Sequence, residues 1–555
     1  TPLRCLGVPV IDIHADSTIG EVLFSAAQRY EHHSLLCIPE NQARNYLPAG
    51  CEITYQQAAD AIRALMQHYT VAGYGLGHRV GLLLDSRPEH MLHKLALNAL
   101  GVCCVPVNPD YRPREYAYLI DHAQVDLLVV LQDRIEHTQT ALAHSSNQPQ
   151  VVALEAFTTD LPPCPRSAEA GVICADTPAS ILYTSGTTGR PKGCVLSHRY
   201  ELAAGQAYAK LGGLATIGKQ DRLYNPLPLF HVNASILSFY CMLLTGGCQI
   251  QSDRFQPTRF WREVVQTRAT IAHYLGVIMQ MLFVQQPSEL DRAHQLRFAA
   301  GAGVEPQLHA AFEERFGVPL LELWGMTEMV RVMMDCHAPR QVGTRAFGRD
   351  RPSEGLEAQA VDELDQPVAD GSVGELVIRH SAHNARQDFF SGYYNDPQAT
   401  EQAWRGGWFH TGDMVVRDTT GMFHFMDRRK NIIRRSGENI AAAEIEALLV
   451  THPWVENAAV MAVQDEIRDE EVLACVVLNP SSQATGQDRD QIAQALFDFC
   501  NQNMAYYKAP GWLWFAQQIP TTGTQKIQKH AIFPQHSDPR TLPGMIDLRK
   551  RKKRN

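Results

Sequence analysis

Ile181-Leu-Tyr-Thr-Ser-Gly-Thr-Thr-Gly-Arg-Pro-Lys-Gly193 opens as a strand and then breaks into a loop suited to an anion. Ile181, Leu182 and Tyr183 have strand character. The ten positions that follow hold Thr184, Ser185, Thr187, Thr188, three glycines and the cations Arg190 and Lys192. Glycines let backbone N–H groups converge, and hydroxyls and cations add donors and charge, a combination that suits a polyphosphate. It is not the common nucleoside-triphosphatase loop, because Pro191 separates glycine from Lys192 and no Gly-Lys-Ser/Thr opens a helix.

Outward from this loop the pattern is alternating. Residues 80–84, 102–107 and 125–130 are continuous apolar runs, with a helical stretch at 87–100 between the first two. Such runs indicate parallel strands covered on both faces, and ligands on such sheets bind beyond the strands' C-terminal ends. The phosphate-type loop after Tyr183 stands at such an end. Residues 247–250, 269–275 and 296–300 repeat the pattern. Before residue 50 the main signal is Ser17-Thr-Ile-Gly-Glu-Val-Leu, a capped helix start.

The chain has 555 residues, enough for several core-forming units. With 45% hydrophobic and 20% charged residues it reads as an ordinary soluble enzyme. A net charge of -9 argues against nucleic acid as a partner. Thirteen cysteines without metal-type pairing fit reduced thiols and a cytoplasmic protein. No apolar run reaches membrane-spanning length, and no leader pattern opens the sequence.

Thr184-Ser-Gly-Thr-Thr-Gly-Arg-Pro-Lys-Gly193 resembles the phosphate-loop signature of the adenylate-forming enzymes, which include acyl-CoA synthetases, luciferases and peptide-synthetase adenylation domains. Further motifs extend the likeness over nearly the whole chain. Leu320-Leu-Glu-Leu-Trp-Gly-Met-Thr-Glu328 ends a strand in an aromatic, a glycine, a hydroxyl and a carboxylate. The resemblance implies that Trp324, where the family usually has Tyr, stacks on adenine beside Gly325 and Met326. It also implies that Thr327 bonds the α-phosphate and Glu328 holds Mg²⁺. In the loop, Thr184, Ser185, Gly186, Thr187, Thr188, Gly189 and Lys192 would hold the departing pyrophosphate. Gly301-Ala302-Gly303 resembles the adenine-contacting turn. Asp413, in Gly407-Trp-Phe-His-Thr-Gly-Asp413, matches the ribose site, and Arg428 would contact ribose or phosphate.

The resemblance implies an α/β fold: a large N-terminal domain (1–429) with doubly wound, mostly parallel sheets, which binds ATP and the acyl group. A small, mobile α+β C-terminal domain (430–533) would pivot at Lys430. Residues 534–555 form a basic tail, read as a solvated end with an anionic surface or a nucleic acid as the alternative. Lys526 occupies the register of the family's catalytic lysine, preceded by Gln525 where the family has glycine. Ser436, Gly437 and Glu438 would line the passage for coenzyme A.

The closest likeness is to carnitine/crotonobetaine-type CoA ligases, through Gly325-Met-Thr-Glu328, Asp427-Arg-Arg-Lys-Asn-Ile-Ile433 and Phe499-Cys-Asn-Gln-Asn-Met-Ala505. The implied activity joins a small or medium carboxylic acid to coenzyme A through an acyl-AMP, using ATP and Mg²⁺. Two alternatives stay open: loading of a carrier-protein pantetheine, and an inactive acyl-adenylate-binding protein. Oligomeric state is left open, a homodimer included. The acyl pocket is expected around His231, Asn233, Tyr274, Gly276 and Arg331. Taken alone, His231 reads more readily as a satisfied core histidine than as a pocket residue. Arg331, amid apolar neighbours, either pairs with Glu322, Asp335 or another carboxylate or meets a polar group of the substrate.

Overall fold

The apolar runs form a seven-stranded sheet in the order Gly392–Tyr393, Lys192–Ser197, Pro178–Thr184, Cys103–Pro106, Arg79–Leu83, Leu127–Val130 and Gln150–Ala153. From Pro178–Thr184 onward the pairing is parallel. At the other edge Pro178–Thr184 and Lys192–Ser197 pair antiparallel, with Thr184 opposite Lys192. The structure is a computed structural model. It describes residues 10–157, 161–184, 191–428, 431–435, 438–465, 468–480, 488–504, 506–521, 527–533 and 538–552, with only the backbone of 428, 432, 434, 438, 439, 469 and 530.

A second, eight-stranded sheet runs Met329–Met334, Leu320–Met326, Phe298–Ala302, Ile271–Leu275, Arg222–Asn225, Cys248–Gln251, Ser34–Ile38 and Cys51–Thr54. Its interior is parallel and only its two outer pairs are antiparallel. The helix Ile19–Arg29 begins with a capping box: Glu21 N–H donates to Thr18 Oγ1, and the Glu21 carboxylate accepts Thr18 N–H at 2.9 Å.

By compactness the chain divides into two units, Thr1–Ala358 with Ile378–Phe409, and Gln359–Val377 with His410–Asn555. The second holds a four-stranded sheet (Glu357–Val361, Val373–Arg379, Phe409–Arg417, Phe423–Arg428). It also holds a six-stranded sheet centred on Asp469–Leu478, covered by the helices Ala442–Leu449 and Arg489–Asn503.

The described part of the basic tail is built into this second unit rather than solvated. Ile546–Asp547 pairs with the strand Trp512–Ala516 as an edge strand. Arg549 bonds Asp465 and Asp547 and lies 4.4 Å from the centre of the Trp512 ring. Lys552, buried, donates to the Glu471 carboxylate and to Tyr507 O, and Arg435 grips the same carboxylate from the other side. A fully buried carboxylate demands such partners. Burial pulls the Lys552 ammonium down to about 8.

Removing one partner of a buried ion cluster costs about 3–5 kcal/mol. Glu471→Gln should therefore destabilise the protein more than Lys552→Met, because it strands two buried cations instead of loosening one anion. Urea unfolding followed by Trp fluorescence checks the order, and equal, negligible losses would return the tail to the solvent.

Candidate active site

Between Leu320–Met326 and Met329–Met334 the chain turns in two residues, Thr327 and Glu328, with Met326 opposite Met329. The turn is held from both sides. Tyr200 Oη donates to Thr327 O at 2.7 Å, and Phe390 N–H donates to Glu328 O at 3.1 Å. The Glu328 side chain is buried, and its Oε1 accepts the Tyr393 hydroxyl at 2.8 Å. Tyr393 reaches this place because Gly392–Tyr393 adds to the edge of Lys192–Ser197, opposite Val195 and Cys194. The Lys192 ammonium stands 4.7 Å from the centre of the same Tyr393 ring. Two residues assigned from separate motifs, Lys192 and Glu328, thus meet through one phenol. The Cys194 thiol beneath them is pushed up by burial and by the Glu328 charge.

A buried carboxylate beside a phosphate-loop cation fits Mg²⁺. That ion takes one or two protein carboxylates and completes its shell with phosphate oxygens and water. Thr184 and Lys192 flank the loop on paired strands. Ser185, Gly186, Thr187, Thr188 and Gly189 lie outside the described residues.

Gly301 and Ala302 end the strand Phe298–Ala302, and Gly303 turns away with φ +85°. The neighbouring strand sets the turn: both Glu322 carboxylate oxygens accept from it, one from Gly303 N–H at 3.1 Å and one from Val304 N–H at 2.9 Å. Burial pushes the Glu322 carboxyl up to about 7 against the pull of these two N–H groups. Sequence reasoning missed this residue's role; its signal was a carboxylate two positions before Trp324 in an otherwise apolar strand. Trp324 is buried, with its ring 6.1 Å from that of Phe347, and Gly325 is exposed beside half-buried Met326.

Of the expected acyl-side residues, Gly276 follows the strand Ile271–Leu275, Asn233 is bonded to Asn225 at the end of the neighbouring strand Arg222–Asn225, and His231 lies in the loop between Asn225 and Asn233. His231 is half-buried against Phe230, their ring centres 4.5 Å apart. Gly276 presses on the adenine-type turn so closely that an added Cβ would stand 1.7 Å from Gly303 O. Tyr274 does not join them. It is fully buried on the face opposite His273, where its ring packs on Gly301. Arg331 is tied down by other partners. It donates to Gly355 O at 2.7 Å and to Glu354 O, and it stands 3.6 Å from Asp388. Its partner is thus neither Glu322 nor Asp335, but an aspartate remote in sequence that no local spacing marks.

In the second unit Asp413 is buried on the strand Phe409–Arg417, with Arg428 opposite it in the hairpin. Its N–H donates to Thr411 Oγ1 at 3.1 Å, and Gly412 N–H donates to Glu375 Oε1 at 3.1 Å. The side chains of Arg428 and Glu438, and Lys430, Ser436, Gly437 and Lys526 entirely, lie outside the described residues.

A doubly wound sheet pair with a hydroxyl- and glycine-rich anion loop at one strand end, and a carboxylate turn at another, defines a nucleotide-binding α/β enzyme. The AMP-binding enzyme family model matches residues 26–394, and the model of the AMP-binding enzyme C-terminal domain matches 444–526. The chain belongs to the AMP-binding enzyme family. It is 30% identical over 504 residues to a crotonobetaine/carnitine–CoA ligase of Proteus mirabilis, covering 86% of this chain and 93% of the relative. A Shigella dysenteriae protein of the same name is 31% identical over 495 residues, covering 85% and 92%. Among solved structures, an anthranilate CoA ligase in complex with anthranoyl-AMP superimposes with TM-score 0.77 at 21% identity, over 94% of this chain and 97% of that one. A benzoate CoA ligase from Burkholderia xenovorans LB400 gives 0.75 at 22%, over 93% and 99%.

The Glu322 carboxyl titrates near 4.5 when unfolded and near 7 in the fold, so the fold favours its protonated form. Its contribution to stability is whole below pH 4.5 and is lost as pH rises through 7. Glu322→Gln removes the charge but keeps an acceptor for only one of the two N–H groups, because an amide nitrogen cannot accept. It should fall below the parent at pH 4.5 by the cost of that lost bond and gain on it by up to about 3 kcal/mol between pH 4.5 and pH 8. Urea unfolding at the two pH values checks this; a gap independent of pH would mean the carboxyl is not held protonated.

Proposed function

We propose that this enzyme is an AMP-forming acyl-CoA synthetase that activates a small or medium carboxylic acid as acyl-AMP and then transfers the acyl group to coenzyme A. The observation that carries the reading is the meeting of Lys192 and Glu328 on Tyr393. A phosphate-loop cation and a metal-type carboxylate, held apart yet side by side, are what a triphosphate with its Mg²⁺ requires. The names of the relatives make crotonobetaine and carnitine the first acids to test.

A carboxylate is a poor acceptor for a thiol because oxide leaves badly. Attack of the substrate carboxylate on the α-phosphorus forms a carbon–oxygen–phosphorus anhydride and breaks the bond to pyrophosphate. In the second step the thiol of coenzyme A bonds the acyl carbon, AMP leaves with the bonding pair, and the thiol proton passes to solvent. Neither step needs a protein nucleophile; both need charge placed and water excluded. Glu328 would hold Mg²⁺, which neutralises triphosphate charge. Lys192 and the loop from Thr184 bind the departing pyrophosphate. The turn at Gly301 to Gly303, fixed by Glu322, receives adenine together with Trp324, and Asp413 and Arg428 take the ribose. Lys526 serves the first step, and Ser436, Gly437 and Glu438 serve the second. The C-terminal domain exchanges the two sets by pivoting at Lys430. A cytoplasmic location belongs to the same proposal, supported by the free state of every described cysteine.

Pyrophosphate release and coenzyme A consumption across an acid panel test the activity. Lys526→Ala should lower adenylate formation on the order of 10²–10³-fold, the scale of losing one transition-state donor. It should leave thioester formation from supplied acyl-AMP nearly intact, and equal losses in both half-reactions would remove the division of labour.

Lys430→Pro should have the opposite bias, since proline fixes φ near about -65° at a residue that must change it. Thioester formation at the parent's rate in this variant would move the pivot elsewhere.

A further inference from the structure

At the C-terminal end of the eight-stranded sheet lies a chain of hydrogen bonds whose direction follows atom by atom from one backbone N–H. Leu227 N–H can only donate, and it donates to Asn225 Oδ1 at 2.9 Å. That fixes the Asn225 amide, so its Nδ2 donates to Asn233 Oδ1 at 3.0 Å and to Ser238 Oγ at 2.9 Å. Asn233 Oδ1 is therefore an acceptor. His273 Nδ1, 2.7 Å from that oxygen, must carry the hydrogen. His273 Nε2 is then the lone-pair nitrogen, and Tyr208 Oη donates to it at 2.9 Å. His273 is fully buried, which pulls its basicity down to about 3 and keeps the ring neutral in this one tautomer.

The other amides of the network are satisfied. Gln249 accepts Ser238 Oγ–H and donates to Ala234 O and Gln251 Oε1, and Gln251 donates to Leu227 O and Ser252 O. Asn233 differs. Its oxygen is gripped twice from inside, so its amide nitrogen is turned outward, where it donates to nothing among the described residues and is open to solvent. Asn233 also opens a π-turn, Asn233–Ser238, the wider helical form that recurs at functional sites. The strands that carry its partners Asn225 and His273 are neighbours in the sheet, Ala272 opposite Tyr224, and the second runs beside the strand of the adenine-type turn, Leu275 opposite Ala302.

We propose that Asn233 is a specificity-determining residue whose outward N–H groups bond an acceptor oxygen on the acyl chain of the acid, with His273 and Asn225 as positioning residues. The substrate class is a short carboxylic acid that carries a hydroxyl, keto or second carboxylate oxygen beyond the reacting carboxylate. This rests on the acyl-CoA synthetase reading. A site built to hydrogen-bond an oxygen discriminates against the analogue that lacks it, because the bound analogue displaces water from the donor without replacing its bond. Two donors and no acceptor offer nothing to an ammonium group.

The test uses the full-length enzyme and pyrophosphate release with paired acids of equal length, such as butanoate against 3-hydroxybutanoate and 3-oxobutanoate. The parent should favour the oxygenated member by about tenfold or more in kcat/KM, the scale of one hydrogen bond. Asn233→Leu should abolish that preference at unchanged KM for ATP, and Asn233→Ala provides the same reading if the leucine disturbs folding. His273→Leu should raise KM for the oxygenated acid while sparing kcat. His273→Gln, which can still donate to Asn233 Oδ1, should restore the preference. A preference that survives Asn233→Leu, or equal use of plain and oxygenated acids by the parent, overturns the assignment and leaves the synthetase reading standing. Absence of pyrophosphate release from every acid of the panel, crotonobetaine and carnitine included, sinks both.

Discussion

The anion loop depends on an ion pair that never meets water. Lys94, on the helix Pro88–Ala99, donates to the Glu201 carboxylate of the helix His198–Ala209, and both side chains are fully buried. Glu201 Oε1 also accepts Ser180 Oγ–H at 2.6 Å, and Lys94 reaches Asn98 Oδ1 and Tyr240 Oη. Asn98 in turn donates to Ala179 O at 2.7 Å. Two of these bonds, to Ser180 and to Ala179, end on the strand Pro178–Thr184, whose last residue enters the phosphate loop. Desolvating two charges costs several kcal/mol each, so such a pair is a poor source of stability. What it supplies is position, because only one arrangement of two helices and one strand satisfies all its donors and acceptors.

The same logic separates structural from chemical histidines. His90, His93, His198 and His273 are buried, and each is driven down to about 3, so none carries charge at neutral pH. His198 Nδ1 accepts Ile19 N–H, and His93 bonds Tyr69, so these ring nitrogens serve packing. Burial of a neutral imidazole lets an amide or phenol be oriented without adding a cation near a nucleotide that must attract its own.

The sheets and most elements were legible because a buried parallel strand is an unbroken apolar run, and 80–84, 102–107 and 125–130 are such runs. The strand Ser34–Ile38 was missed, although Ser-Leu-Leu-Cys-Ile is apolar; its partner Cys51–Thr54 is short and half-buried, and its other neighbour, Cys248–Gln251, is remote in sequence. The roles of Lys192 and Glu328 could be carried over from motifs. The link between them could not, because Tyr393 comes from an edge pairing that no local periodicity encodes. Tyr274 misled for a related reason: a strand places alternate residues on opposite faces, and the expected pocket was read as a segment rather than a face. The tail misled because a run of cations reads as solvated, whereas Glu471, buried and remote in sequence, gives Lys552 a reason to fold inward.

The phenol between Lys192 and Glu328 solves a problem that a direct contact would create. An ammonium and a carboxylate at ion-pair distance neutralise each other, and neither would then be available to a triphosphate and its cation without first breaking that pair. Tyr393 answers both at once, presenting its negative ring face to Lys192 and its hydroxyl hydrogen to Glu328. Both attractions are weaker than the ion pair they replace. On the proposed reading, the lysine is then left for phosphate oxygens and the carboxylate for a hard cation. The edge strand that delivers Tyr393 is only two residues long, and its length is explained by this one side chain: a longer strand would add ladder bonds without bringing another group to the site.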